Sequence, residues 1–504
     1  MAKGRTQKAA RNITYNIFNQ IVIILLSFIS RSVFIWGFGS DFLGINGLFN
    51  DILSLLSMAD LGFNTAMVYS FYKPLANNDR KKMAALTTFY KKVYTTIAVV
   101  ITVVGVSIIP FLPELVKLNQ EIPHLTIYYL ISLFGVVVTY LCVYRTSILS
   151  ADQNGFMITR ITIITNICKT LIMTISIILF RNYTIYLLIG AFGGLLNNII
   201  ASAIASRQYP FIKEKIELEE KDKKEIVRNL KSVFIYKVSS VLLNASDNIL
   251  ISTIINTTMV GLYSNYLMLQ TKITALFTVF FGATTASVAN LIVTEGKEKR
   301  YEIFECEQVI SFSFCGVIVP CYTLLVNEFV RLWIGDSYVL DTVVVCAIAL
   351  NMYLTCVLQP LWSYREATGL YQKTKWVMFI CAIENIILSI IMGKLIGVAG
   401  IIFASAIARI TTYIWYEPVL LFRTSFGKSS LIFFKQLIIN AIYISGEIII
   451  LSLVFSKIYI NSIVLWLVKA CLVGSVCLIT TYILYRKERG MKILLNKISG
   501  LVKR

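Results

Sequence analysis

The chain has 504 residues, 57% of them hydrophobic, with a mean hydropathy of +0.74 and a formal net charge of +20. That hydropathy excludes an ordinary soluble globular protein, and apolar runs that are continuous rather than alternating exclude a β-barrel. The runs recur at about 20 residues, the length that crosses a ~30 Å hydrocarbon core, so the expected fold class is an all-α polytopic membrane protein.

Fourteen spans are expected, near 13–36, 43–71, 92–111, 125–149, 161–180, 184–206, 232–253, 259–291, 308–327, 342–365, 376–396, 400–422, 431–456 and 461–485. They group into an N-terminal lobe (1–206), a cytoplasmic linker (207–231), a C-terminal lobe (232–424), and two further spans with a basic tail (425–504). With the N-terminus inside, the cytoplasmic segments carry 34 Lys and Arg against 5 outside, which places both termini in the cytoplasm. The basicity is therefore mainly a topology signal with some attraction to acidic lipid headgroups, and nucleic acid is not implied. No cleavable signal peptide is read; the first span is a retained anchor.

The first span holds Arg31 within an apolar run, and Asn12, Asn16, Asn19, Gln20, Ser27, Ser30 and Arg31 share an arc of about 120°. A guanidinium near a bilayer centre costs at least about 3 kcal/mol and needs water or a partner. Either Arg31 packs against a structural acid, or its helix lines an aqueous cavity that receives an anion. The second span carries a stripe of Asn46, Asn50, Ser54, Ser57, Asp60 and Asn64, with Asp51 off it, and ends at Pro74 in the basic loop "KPLANNDRKK". Arg145 lies near the inner end of span four, where it can snorkel, and Lys169 lies mid-span in span five, where it needs a partner or water. The single histidine, His124, falls in a loop and has no assigned role.

Residues 207–231 mix acids and bases as on a solvated helix. The seventh span then repeats the first. At an offset of 217 residues, "FLGINGLFNDIL" falls on "MVGLYSNYLMLQ", Gly44 on Gly261 and Arg31 on Asn248. "PELVKL" (113–118) matches "NEFVRL" (327–332) at an offset of 214. Six spans per half make this a parallel repeat, an arrangement found in transporters. Span seven bears its own stripe of Lys237, Ser240, Asn244, Asp247, Asn248 and Ser252, and Lys272 lies on the Asn265 face of span eight. Glu384, Arg409, Glu447 and Lys469 read as isolated charges in the last spans.

Catalytic motifs are missing: no P-loop, no HExxH, no GxSxG, and no CxxC or other metal-type spacing among the ten cysteines. External loops of about three to six residues are too short to build a polymerase or glycosyltransferase site, so no enzyme, cofactor or metal is expected. What remains is polar stripes on spans one, two, seven and eight. Ser and Asn also serve as helix–helix glue, but the combined stripes suit a substrate path. Arg31, Lys237 and Lys272 outnumber Asp60 and Asp247, which suits an anion. Asn46, Asn50, Asn64, Asn244 and Asn248 suit hydrogen bonding to sugars.

The basic N-terminal tail, "DFLGINGLFNDILSLLSMADLGFNTAMVYSFYKPLA", "ASDNILIS" and "VGLYSNY" resemble bacterial Wzx-type polysaccharide flippases of the multidrug/oligosaccharidyl-lipid/polysaccharide (MOP) exporter superfamily. The resemblance implies two six-helix lobes around a central cavity. It also implies an undecaprenyl-pyrophosphate-linked oligosaccharide substrate, moved from the inner to the outer leaflet of the bacterial cytoplasmic membrane by alternating access. Partners would be the lipid-linked oligosaccharide, membrane lipids, and a polysaccharide polymerase with glycosyltransferases. By position, Arg31 and Lys272 match basic residues that such flippases turn toward the pyrophosphate, with Lys237 joining them on its stripe. Fourteen spans resemble the lipid II branch. A lipid II flippase and a cation-coupled drug antiporter are the alternatives on the same fold.

Overall fold

In hydrocarbon every backbone N–H and C=O has to be bonded within its own segment, so apolar runs of this length fold as helices. The computed structural model describes residues 2–60, 63–118, 122–455, 458 and 460–502, and its regular elements there are all helical. The chain divides into two compact units, Met1–Gly261 and Leu262–Arg504.

The first unit is built from α1 (Ala2–Leu56), α2 (Phe63–Ala76), α3 (Arg80–Ser107), α4 (Leu112–Leu115), α5 (Leu125–Val143), α6 (Ser147–Ala151), α7 (Gly155–Phe180), α8 (Tyr183–Gln208) and α9 (Glu220–Leu250), plus the first turn of α10 (Thr257–Thr294). At about 1.5 Å per residue, α1 is far longer than one membrane crossing. It bends at Gly39, whose φ of 77° suits a residue without a Cβ. Phe49, Phe71, Tyr90, Tyr94 and Tyr129 are fully buried at the core, while Val103 and Leu179 stand on the exposed apolar surface that hydrocarbon covers. The mixed-charge stretch expected as a linker is tied to α3. Asp222 pairs with Lys82 at 3.0 Å and Glu217 with Lys92 at 3.3 Å, and from Glu220 it is already helix α9.

The second unit holds the rest of α10, then α11 (Lys297–Ile334), α12 (Thr342–Val357), α13 (Gln359–Thr368), α14 (Tyr371–Thr411), α15 (Tyr413–Leu421), α16 (Leu431–Phe455), α17 (Ile463–Tyr485) and α18 (Arg489–Val502). The charges that looked isolated in the sequence have local partners. Lys469 meets Glu328 at 2.6 Å, Thr480 donates to Glu447 at 2.6 Å, Thr411 to Glu384 at 2.6 Å, and Arg409 to Thr355 at 3.0 Å. Arg365 and Glu417, 8% and 4% exposed, form a buried ion pair at 2.6 Å. The basic tail is the helix α18, docked on α11 where Gly490 leaves room for the Glu305 backbone.

Among the described residues, nine helices are long and apolar enough to cross a membrane, or ten if the pair α12–α13, bent by 42°, is one span. Two of the expected boundaries are bends, each within one long helix, and the expected spans seven and eight, in α9 and α10, include side chains outside the described residues and are not in that count. Expected spans one and two run together through the Gly39 bend, and spans eleven and twelve through Ile396–Gly397, where Gly397 has φ 65°. All ten cysteines are free thiols, five of them buried.

Candidate functional site

Helices α1 and α7 run parallel. Thr159 Oγ1 donates to Asn16 at 3.1 Å near one end, and near the other end Gly37 leaves space for the Ile177 side chain. Asn16, one member of the polar arc of the first span, therefore faces α7. Arg31 is half-buried between these two levels and interacts with Tyr186 of α8, whose hydroxyl bonds Ser30. Tyr186 belongs to an aromatic cluster that closes this level, with Phe34 at 5.1 Å between ring centroids. By this register Lys169 of α7 lies within about two turns of Arg31, its stem laid across the bare backbone of Gly193 on α8.

Beyond the Gly39 bend, α1 meets the end of α9 and the start of α10. Asn248 donates from Nδ2 to Asp51 Oδ2 at 2.6 Å, and Thr258 Oγ1 donates to Asp41 Oδ1 at 2.6 Å. A Cβ on Gly44 would overlap the Thr257 carbonyl, and a Cβ on Gly261 would overlap the Ser40 carbonyl. At the offset of 217, Ser40 corresponds to Thr257, Asp41 to Thr258 and Gly44 to Gly261. The contact is therefore reciprocal. Each repeat presents a small residue and, four positions on, a glycine, and each glycine lies on the other's small residue. This is how helix backbones come close in membranes.

The segment after α4 locks the same junction. Ser252 Oγ donates to the Leu115 carbonyl at 2.6 Å, the Thr257 N–H to the Lys117 carbonyl at 2.8 Å, and the Lys117 N–H to Thr257 Oγ1 at 2.9 Å. The Lys117 ammonium donates to the Thr253 carbonyl. These segments, 37–42, 113–124 and 254–258, are the ones the charge count assigns to the outside.

Of the residues expected to line a path, Asn248 is buried, Asp247 and Asn46 are half-buried, and Asn50 is exposed. Lys272 is half-buried on α10 in the second unit. The side chains of Asp60, Asn64, Lys237 and Asn244 lie outside the described residues. The structure joins the stripe of span seven to Asp51, which the helical projection had set aside, and adds Asp41. An acid inside an apolar run needs a partner, which was the available signal for Asp51; Asp41 fell in the loop expected at 37–42, where the sequence asked for none.

The match of a family model for polysaccharide biosynthesis proteins covers residues 9–286. Among solved structures, the lipid II flippase MurJ in an inward closed conformation is similar, with TM-score 0.65 and 16% identity over 94% of this chain and 98% of that one. An inward-facing multidrug resistance MATE family transporter of the MOP superfamily gives TM-score 0.61 and 14% identity over 80% and 97%. A MOP superfamily transporter from Pyrococcus furiosus, described as having a binding pocket of reversed polarity, gives 0.55 and 14% over 82% and 96%. No curated relative matches at a significant level. These likenesses show the fold of a MOP-superfamily multi-pass membrane protein, and the family match extends over more than half of the residues. The chain belongs to the polysaccharide biosynthesis protein family.

Proposed function

We propose that the protein is a flippase that moves a polyprenyl-pyrophosphate-linked oligosaccharide from the inner to the outer leaflet of the bacterial cytoplasmic membrane for surface polysaccharide biosynthesis. The observation that carries this reading is Arg31, a cation held half-buried in the apolar first unit, inside the segment that matches the polysaccharide biosynthesis family. Arg31 attracts the diphosphate, and Asn46 and Asn50 are amides suited to the sugar hydroxyls. The polyprenyl tail stays in lipid, and translocation proceeds by alternating access without covalent chemistry. An inside-negative potential of ~100 mV favours moving two negative charges outward by roughly 4–5 kcal/mol, so ATP is not required. A polymerase and glycosyltransferases would consume and supply the substrate.

Arg31→Ala is expected to abolish surface polysaccharide while its abundance in the membrane is unchanged, with lipid-linked sugar accumulating in the inner leaflet. Normal polysaccharide from that variant sinks the assignment. The likeness in fold to MATE transporters supports a second reading, a drug or organic-cation antiporter, with Asp51 as an available carboxylate. That reading predicts ethidium resistance in cells expressing the chain, lost in Asp51→Asn and kept in Arg31→Ala. A lipid II flippase would instead rescue cells depleted of their own.

A further inference from the structure

A groove of about 760 Å³ opens in the first unit between α3, the end of α5 and the segment 212–217, away from Arg31 and from the α1–α10 contact. Five cations, Lys91, Lys92, Arg145, Lys213 and Lys215, lie on it against two acids, Glu214 and Glu217. Glu217 and Lys92 pair at 3.3 Å, but both are exposed and water screens them, so a positive surplus remains.

The groove has a fixed floor. Thr87, Tyr144 and Ile212 are buried beneath it, and the Arg145 guanidinium sits 5.4 Å from the Tyr144 ring centroid. Its far wall is tied down at Glu214 and again at Tyr209, just before it begins. Thr88 Oγ1 donates to the Glu214 carbonyl at 3.3 Å. The Tyr209 hydroxyl donates to Asp152 at 2.7 Å and accepts from Asn154 at 3.2 Å. Burial, with Asp152 beside it, raises the Tyr209 phenol well above its ordinary value, so that donor keeps its proton at any physiological pH. The wall is thus held whether or not an anion is present.

One and two turns along α3 from Thr95, which edges the groove, Val99 and Val103 stand 57% and 64% exposed. A basic, hydroxyl-edged groove thus runs directly into a bare apolar wall on a transmembrane helix. A soluble phosphate would use only the first; a phospholipid uses both, and basic pockets at the rim of transmembrane helices suit acidic headgroups.

We propose that this groove binds the phosphate headgroup of an anionic phospholipid whose acyl chains run along the exposed valine face of α3. The site is separate from the substrate reading and stands or falls without it. The test is native mass spectrometry of the purified full chain, titrated with phosphatidylglycerol and, in parallel, with phosphatidylcholine. Phosphatidylglycerol should be retained more tightly. Removing the charges in Lys91→Gln, Lys92→Gln, Lys213→Gln should weaken it about fivefold per lysine, about a hundredfold together, leaving phosphatidylcholine unchanged. The control variant, Lys221→Gln, Lys224→Gln, Lys297→Gln, removes as many exposed lysines outside the groove and should retain the lipid as the unaltered chain does. Equal loss in both variants, or none in the first, overturns the proposal. So does displacement of the lipid by inorganic phosphate at millimolar concentration, which would make the groove a soluble-anion site.

Discussion

Single charged residues carry most of the chemistry here, and each is held by a different physical bargain. Arg365 and Glu417 are both withdrawn from water, so their mutual attraction is set against two desolvation costs, and removing one partner leaves the other charge buried alone. Arg365→Met should therefore cost about 3–5 kcal/mol and lower the melting temperature in detergent sharply, whereas Arg365→Met with Glu417→Met should recover most of the loss. If the double variant melts as low as the single one, the pair has a role beyond neutralising itself. Arg31 differs: its environment is aromatic and hydroxyl-bearing, with Tyr186 beside it, and it is half-buried. The sequence located Arg31, Asn248 and Lys272 as polar interruptions of apolar runs. It could not give Asp51 its partner, because a projection around one helix axis does not say which neighbouring helix covers which face. Asn248 covers the face that the projection left unassigned.

Among helices, α1 and α10 owe their close approach to what is missing from them. The Gly44 and Gly261 positions admit no side chain while the backbones of Ser40 and Thr257 remain where they are. Gly44→Ala or Gly261→Ala should push the pair apart, weakening the Thr258–Asp41 hydrogen bond that depends on the same spacing. A cysteine introduced by Ser40→Cys should then react severalfold faster with a membrane-impermeant thiol reagent in either glycine variant than in the Gly44, Gly261 parent. Unchanged labelling would mean that the helices accommodate a methyl group by sliding. Because the two glycines serve one contact, the double variant should show less than the sum of the single effects. Glycines at this spacing were visible in the sequence as part of the repeat. Their mutual packing was not, since periodicity places a residue on a face and leaves its partner open. The breaks expected between spans one and two and between spans eleven and twelve coincide with the bends at Gly39 and Gly397, where the chain turns through a single residue of positive φ instead of a loop.

At the scale of the molecule, composition, the all-helical class and most of the span positions were legible because a bilayer imposes length and apolarity on whatever crosses it. The tail was not. "RKERGMKILLNK" reads as a basic end, yet from Arg489 it forms α18 against α11 through Gly490, a docking that depends on a surface the sequence does not display. The distribution of 34 Lys and Arg against 5 makes a further prediction. Fluorescent reporters fused at either terminus should both fluoresce in the cytoplasm, while an alkaline phosphatase fusion after Lys117 should be active outside. The opposite pattern would reverse the direction of transport proposed above.

The reciprocal contact of α1 with α10 has the geometry of a homodimer interface, in which a patch meets its own copy across a two-fold axis. Two identical chains joined this way would set residue 41 against itself, giving either two facing carboxylates or two facing hydroxyls. Covalent fusion of the halves removes that constraint. One side keeps Asp41 as acceptor and the other carries Thr258 as donor, so the position holds a hydroxyl–carboxylate bond, stronger than the hydroxyl–hydroxyl bond that two threonines would make there. Divergence between the repeats is in this respect a gain in bonding as well as a loss of symmetry.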